Sequence, residues 1–403
     1  MIVVGGTYSE ICMEPIWNNI FGSGFRAVNV VLENDYEEKI EFYTCADNID
    51  TKNHLEYYST LNSRLENHIK EIPKSPEFHY DHPLKTPIIY PRPDILIEQF
   101  STLNVSGDNI LAFGMIEASI NVTGEKVVYD PQSPVNPKSF KSTGSKADKL
   151  IIIVNLDEAK KLSSVSEITD IRNFFFDVEK CFALIIKMGA KGAFVFLDKH
   201  SSGHAIPVYK TSKVWNIGSG DVFSAFFALN WFKNISIIDS VILASKATAI
   251  YCNSKDLSLL STLQSFEFPE LVFSETPKGQ VYIAGPFFTF SERWLVNQVW
   301  GALKGMGLKV FSPFHDVGHG KAIDVVDKDI KGLEESEIVF AIIDGLDSGT
   351  LFEVGFAISQ NKKVIAFVQN ETEESLKMLE GTHCIIEKDF TTAIYKLYWN
   401  LES

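Results

Sequence analysis

The chain has no basic run, no close pair of cysteines and no apolar stretch of about 18 residues, the minimum for a membrane span. Each absence narrows the field. Lys+Arg number 37 against 52 Asp+Glu, a net charge of −15. That argues against an extended nucleic-acid surface, although a small phosphate-bearing ligand held by backbone amides and a few cations stays compatible with it. The five cysteines, Cys12, Cys45, Cys181, Cys252 and Cys384, are scattered and odd in number, with no CxxC and no metal-ligand spacing. They read as reduced thiols, which argues against a disulfide framework, a metal site and a catalytic cysteine. With no signal peptide and no spanning segment, the expectation is a soluble, cytoplasmic protein without a membrane partner. Internal repeats and low-complexity tracts are also missing. What is present is length and apolar content: 403 residues, 45% of them hydrophobic, enough for two or three domains with a core in each.

The most informative stretch is Asp344-Gly-Leu-Asp347-Ser-Gly349-Thr350-Leu-Phe-Glu353-Val-Gly355. It follows an apolar run, Ile338 to Ile343, that reads as a buried strand, and a helix is expected to begin near Thr350. A loop at the carboxyl end of a strand in an open α/β sheet is where ligands bind, which places Asp347 and Glu353 on one crevice. The competing reading is that Thr350-x-x-Glu353 is a capping box, with Glu353 satisfying a backbone N–H. A second strand, Val281 to Ala284, runs into Gly285-Pro286-Phe287-Phe288, and between the two lies a helical stretch that carries Asp329, with Ile330 and Leu333 on its apolar side.

From Tyr282 to Gly355 these motifs together resemble the nucleoside 2-deoxyribosyltransferase family, over most of residues 280 to 370. The resemblance implies that Glu353 is the nucleophile, that Tyr282, Asp329 and Asp347 orient it and hold sugar or base, and that Gly285, Pro286, Phe287, Asp344 and Gly349 line the substrate site. The chemistry suits these residue types. Breaking an N-glycosidic bond builds positive charge at C1′, which a carboxylate can stabilise or trap, while a second acid carries a proton to the base. Asp329 is the candidate acid, since crowding near Glu353 disfavours two negative charges and raises one pKa. Asp347 stands where monophosphate-cleaving relatives place a small hydroxyl residue, which favours nucleosides over nucleotides.

The first two thirds of the chain open with an apolar strand, Met1 to Thr7, containing Gly5-Gly6, followed by Gly22-Ser23-Gly24. Leu55, Leu61, Leu65 and Ile69 are spaced for one helix face, and Ile95–Ile97, 110–115 and 127–130 read as strands. From Leu150 strands and helices alternate, as a parallel sheet requires. Lys187-Met-Gly189-Ala-Lys-Gly192 turns one buried strand into the next, and Gly218-Ser219-Gly220-Asp221 precedes an apolar helix. Glycines at such a junction leave N–H groups free to surround an anion. Residues 257 to 278, with Pro269 and Pro277, read as a connector.

The order of Val3-Val4-Gly5-Gly6, the Gly22-Ser23-Gly24 region, Asp130-Pro131, Asn155-x-Asp157-Glu158, Met188 to Gly192 and Gly218-Ser219-Gly220-Asp221 resembles the PfkB-type ribokinase family, over roughly residues 1 to 265. The resemblance implies that Asp221 is the base for an acceptor hydroxyl and that Gly218, Ser219 and Gly220 supply an anion hole. Magnesium-bound ATP would lie near Lys187, Gly189 and Gly192. Three departures stand out: Trp215 where relatives carry an aspartate near a monovalent-cation site, Ala27 in place of a sugar-contacting asparagine unless Asn29 takes that role, and Cys45-Ala46-Asp47 without the usual glycines.

The expected architecture is therefore α/β throughout. A ribokinase-like three-layer α/β/α domain (1–270) is followed by a smaller Rossmann/flavodoxin-like domain with a parallel sheet (278–403). The expected function is bifunctional: N-glycosidic cleavage or base exchange on 2-deoxynucleosides in the C-terminal half, without a cofactor, and ATP- and Mg2+-dependent phosphorylation of a sugar or nucleoside in the N-terminal half. Expected partners are small molecules and further copies of the chain, with no metal beyond that of ATP. The rival expectation is a ligand sensor whose kinase-like half binds without turnover and controls the other half.

Overall fold

The computed structural model describes residues 1–401 apart from 48, 98–100, 134–135, 273–276 and 319. The chain divides into two compact units, one comprising Met1–Thr211 with Trp215–Phe273, the other Ser212–Val214 with Ser274–Ser403.

The first unit is built on a nine-stranded sheet whose strands, named by first residue, lie in the order 204-193-183-146-118-101-2-40-65. The strands from 183 to 65 in that order are parallel, and 193 and 204 add an antiparallel edge. Because side chains alternate along a strand, the sheet feeds two cores. Val3, Ile151 and Ile153 face one, with the helices Gly22–Asn34, Ser219–Phe232 and Ile237–Ser254. Ile2, Val4, Leu150, Ile152 and Val154 face the other, with Leu156–Ser163 and Ile168–Asp177. This is a three-layer α/β/α arrangement. A smaller sheet, in the order Trp17–Ile20, Ser9–Cys12, Glu77–Tyr80, Ile88–Tyr90, completes the unit. In it the alternation turns Glu10 and Cys12 inward.

One pairing is unusual. Ser101–Phe113 and Ala118–Asp130 run parallel over their whole length, yet only residues 114–117 join them. A straight 13-residue strand would separate the ends to be joined by roughly 40 Å, and so short a connection reaches less than about 20 Å. Both strands must therefore fold back, and the paired glycines Gly107 and Gly124 supply the corner. A Cβ on Gly124 would lie 2.8 Å from the Gly107 carbonyl oxygen.

Several sequence readings change. Leu55 lies on the helix Thr51–Leu61, but Leu65 and Ile69 lie on the strand Leu65–Glu71: a four-residue apolar spacing does not distinguish a helix from a helix that stops and a strand that starts. Pro93–Ile97 is helical rather than extended, as a proline in the first turn allows. The expected connector is structured in part, since Glu270–Leu271 pairs antiparallel with Val208–Tyr209.

The second unit is a five-stranded, wholly parallel sheet in the order 309-280-338-363-385, or 2-1-3-4-5 by position in the unit. Its central strands Gln280–Ala284 and Ile338–Ile342 are buried at every position, which is why they read as continuous apolar runs. Helices Phe290–Gly305, Ala322–Glu334, Ser348–Ser359, Glu373–Gly381 and Phe390–Asn400 complete it. Among the described residues, no helix is long and apolar enough to cross a membrane.

Candidate functional site

In a 2-1-3-4-5 sheet the chain order reverses between the first and third strands of the unit, and their carboxyl ends open a crevice. Here those strands are Gln280–Ala284 and Ile338–Ile342. The helix Ser348–Ser359 starts just beyond the second, and its N-cap is Asp347, whose Oδ2 accepts from the Thr350 N–H at 2.8 Å and the Thr350 hydroxyl at 2.9 Å. The helix thus begins two residues earlier than the Thr350 start expected from sequence. Glu353 lies in its second turn, beyond the orphan N–H groups of the first. The Thr350/Glu353 capping box does not form.

Glu353 has a different partner. Tyr282, fully buried and stacked on Phe311 at 5.5 Å, donates its phenolic hydrogen to Glu353 Oε1 at 2.6 Å. Burial pushes the Glu353 carboxyl up to about 7; the Tyr282 hydrogen bond opposes this, and the neighbouring Asp329 and Asp347 add to it. Burial also raises Asp329, whose Oδ1 is enclosed without a hydrogen-bond partner. Two further carboxyl groups, one from a neighbouring helix and one from the cap, therefore act on Glu353, itself bonded to a tyrosine from a central strand. Such a set can hold one carboxylate ionised for nucleophilic attack while a neighbour keeps its proton.

The remaining predicted contacts divide. Gly285 continues from the first central strand, where a Cβ would press on Ile342 at 3.1 Å, and Pro286 is buried. Gly349 leaves room for the Asp347 cap, its Cβ position lying 3.1 Å from Oδ2. Phe287 stacks on Phe288 at 5.4 Å and lies 5.7 Å from Phe314, an aromatic group able to take a planar ring. Asp344 instead joins two loops: its carboxylate accepts from the N–H groups of Gln369 at 2.9 Å and Asn370 at 2.9 Å. His315 is held at both ring nitrogens, by Ser312 at 3.0 Å and Asn297 at 2.9 Å. His319 lies outside the described residues.

In the first unit, Gly218 is the N-cap of Ser219–Phe232, with φ +76, and Asp221 stands in the first turn, 3% exposed. Asp221 Oδ2 accepts from Arg26 Nη1 at 2.7 Å, and Oδ1 accepts from the Gln132 amide. Arg26, 1% exposed, also forms a bidentate pair with Glu10, at 2.9 and 2.5 Å. Burial raises Asp221 while Arg26 opposes the rise. Removing one member of such a buried network leaves uncompensated charge and costs about 3–5 kcal/mol. The guanidinium lies against Gly218: a Cβ there would sit 2.2 Å from Arg26 Cζ. Of the expected anion-hole amides, that of Ser219 already donates to the Asn216 carbonyl at 3.2 Å.

Lys187 Nζ reaches Asp130 Oδ2 at 2.7 Å, where the Ser224 hydroxyl also donates at 2.7 Å. Burial alone would lower the Lys187 ammonium, but Asp130 and Glu158 outweigh it and keep it charged. Gly189 and Gly192, at φ +58 and +84, form the tight turn after this strand. Glu158 closes a capping box with Asn155. At the departure points, Trp215 carries the Lys255 ammonium 3.9 Å from its ring centre, and Asn29 is turned to Phe25 and Tyr58.

Sequence reasoning missed Arg26, Glu10 and Gln132. Arg26 left one usable trace, as the single cation in the apolar stretch Phe25 to Leu32, where a buried charge demands a partner. Glu10 and Gln132 left none, because they meet Arg26 and Asp221 through tertiary folding.

Residues 281–389 match the family model for nucleoside 2-deoxyribosyltransferase, and residues 99–262 match that for pfkB family carbohydrate kinases. The first unit is accordingly a ribokinase-like α/β domain and the second a Rossmann/flavodoxin-like one. No curated protein matches the chain. Solved structures similar to it include the fructokinase of Vibrio cholerae O395 in a form bound to fructose, ADP and calcium, at 14% identity and TM-score 0.48, covering 66% of this chain and 98% of that one. Others are an aminoimidazole riboside kinase from Salmonella enterica (15%, 0.47, covering 66% and 99%) and a nucleoside kinase from Methanocaldococcus jannaschii (15%, 0.45, covering 66% and 98%).

Proposed function

We propose that the C-terminal unit breaks the N-glycosidic bond of 2-deoxynucleosides, passing the deoxyribosyl group to another base or to water, with Glu353 as nucleophile. The observation that carries this reading is the 2.6 Å hydrogen bond from buried Tyr282 to Glu353, beside a second carboxyl with an enclosed, unpartnered oxygen. Glu353 attacks C1′ while Asp329 gives its proton to the departing base. An incoming base or water then attacks C1′ and returns a proton to Asp329, releasing Glu353. The aromatic group around Phe287 supplies a surface for the planar base. Release or exchange of bases from a panel of deoxynucleosides by the full chain, followed by chromatography, tests the activity directly.

The protonation of Glu353 sets the pH response. The attacking form is the carboxylate, so activity is expected to rise with pH through about 7. Tyr282 favours that carboxylate by donating to it. Tyr282→Phe is expected to shift the acidic limb of the kcat/KM profile to higher pH and to lower the rate more at pH ~6 than at pH ~8. An unmoved limb would separate Tyr282 from Glu353 ionisation.

Asp347 is expected to disfavour a 5′-phosphate, since like charges a few ångströms apart repel by about 1 kcal/mol in water and more when desolvated. A deoxynucleoside should exceed its monophosphate in kcat/KM by at least about tenfold. Asp347→Ser should narrow the gap, serine being itself a competent N-cap. A wild-type preference for the monophosphate overturns this substrate assignment.

For the N-terminal unit, the resemblance read from the sequence implies phosphorylation of a sugar or nucleoside hydroxyl from Mg2+-bound ATP, with Asp221 as base. Around Gly218 the Arg26 guanidinium is already paired with Asp221 and packed on the glycine, and the Ser219 amide donates to Asn216. This supports the alternative in which the kinase-like half binds ATP or a nucleoside without turnover and controls the other half. A wild-type phosphotransfer screen across sugars and nucleosides separates the two.

A further inference from the structure

We propose that Arg26 withholds phosphoryl transfer from the N-terminal unit, both by engaging the carboxylate of Asp221 and by filling the space that faces Gly218. The inference rests on Asp221 standing, within the pfkB-matched segment, where a kinase of this kind would carry its base. It is independent of the role given to Glu353.

In a transfer, the acceptor oxygen bonds to the γ-phosphorus, the bond from that phosphorus to the bridging oxygen breaks, ADP departs, and the acceptor proton passes to the base. A base needs a free lone pair directed at the hydroxyl. At Asp221 both oxygens are already engaged, Oδ2 accepting from Arg26 at 2.7 Å and Oδ1 from Gln132, and the adjoining guanidinium lowers the carboxylate's affinity for a proton. Arginine does not relay the proton, since its guanidinium stays charged at any physiological pH. Nor is Arg26 loosely placed. Glu10 grips it through both terminal nitrogens, at 2.9 and 2.5 Å, and the side chains of Arg26 and Glu10 are 1% and 2% exposed.

The second observation is steric and concerns the start of the helix Ser219–Phe232. The N-terminus of a long, buried helix favours an anion, yet the group packed on Gly218 is a cation, its central carbon 2.2 Å from where a Cβ would stand. The two carboxylates compensate it, so the charge balance expected from an incoming phosphate is already met from within the chain. Asn29 and Ala27, the neighbours weighed as acceptor contacts, do not share this role: Ala27 is buried and Asn29 is bonded to Phe25 and Tyr58.

The test uses the full chain, Mg2+-bound ATP and a panel of sugars and nucleosides, with ADP release and calorimetric ATP titration as readouts. Wild type is expected to show no acceptor-dependent ADP release. Glu10→Gln combined with Arg26→Ala removes the cation together with the charge it balances. That variant is expected to raise acceptor-dependent release about a hundredfold over the wild-type background, the scale of a positioned base, and to bind ATP more tightly. Adding Asp221→Asn should abolish the gain. Where the double variant does not fold, Glu10→Gln combined with Arg26→Gln, which fills more of the space and adds no unpaired charge, takes its place. Acceptor-dependent ADP release by wild type overturns the proposal, as does a folded, ATP-binding variant without gain. Base release by the C-terminal unit, assayed in the same samples, is expected to stay at the wild-type level. Its absence in wild type would count against the reading of Glu353 and leave that of Arg26 standing.

Discussion

Glu353→Gln is expected to lower base release and base exchange by about a thousandfold or more, the scale of losing an essential nucleophile, in a protein that remains folded. The structure separates this from a stability effect. Asp347, not Glu353, caps the helix Ser348–Ser359, so the cap, worth about 1 kcal/mol, is untouched. Glutamine can also accept the Tyr282 hydrogen bond through its amide oxygen. The sign of the pH effect provides a second check. The carboxyl of folded Glu353, at about 7, lies above its ordinary value of 4.5. Its contribution to stability is therefore fully present below pH ~4.5 and is lost as pH rises through about 7. The wild type should lose stability across that window relative to the glutamine variant, so that the inactive protein melts at an equal or higher temperature near pH 8. An active Glu353→Gln protein, or one inactive because it has unfolded, would remove the nucleophile from the proposal.

Asp329→Asn is expected to lower the rate by roughly a hundredfold to ten-thousandfold, the range assigned to a positioned general acid. The loss should depend on the leaving group. A nucleoside whose base departs readily as an anion needs little protonation and should be affected least. The substitution also takes away a charge that raises Glu353, so the acidic limb of the pH profile should move to lower pH even as the rate falls. A purely structural residue would not produce that pair of effects. Uniform loss across leaving groups, with an unmoved limb, would assign Asp329 to packing instead.

Both carboxylates were legible in the sequence, for different reasons. Glu353 was marked by a loop-to-helix motif at the end of an apolar run, which places it at the carboxyl end of a buried strand. Its two readings, cap and nucleophile, could not be separated there, because a capping box and a catalytic spacing are the same string of residues. Only the helix start decided it, two residues before Thr350. Asp344 shows the converse: a carboxylate in the same motif spends its oxygens on the amides of Gln369 and Asn370, a contact between the ends of two adjacent strands that has no local signature.

In the first unit the local patterns of Lys187, Gly189, Gly192 and Gly218 to Asp221 were readable because strand ends and helix starts carry glycines and acidic residues in characteristic positions. The partners of those residues were not. Gly107 and Gly124 carry no such local mark, and only the parallel register of Ser101–Phe113 with Ala118–Asp130 shows that they fold two strands back on themselves.

By itself, the sequence determined what depends on nearest neighbours along the chain: alternating strands and helices, buried parallel strands as apolar runs, the glycine junctions, and the residue types available at each strand end. Tertiary structure alone decided which charges meet. Tyr282 and Glu353 are 71 residues apart, and Arg26 and Asp221 are 195 apart. Hydrogen bonds at 2.6 and 2.7 Å act over distances set by sheet order and helix packing, so one aspartate or glutamate can be a free base, a cap or half of a buried ion pair with no change in the residues beside it.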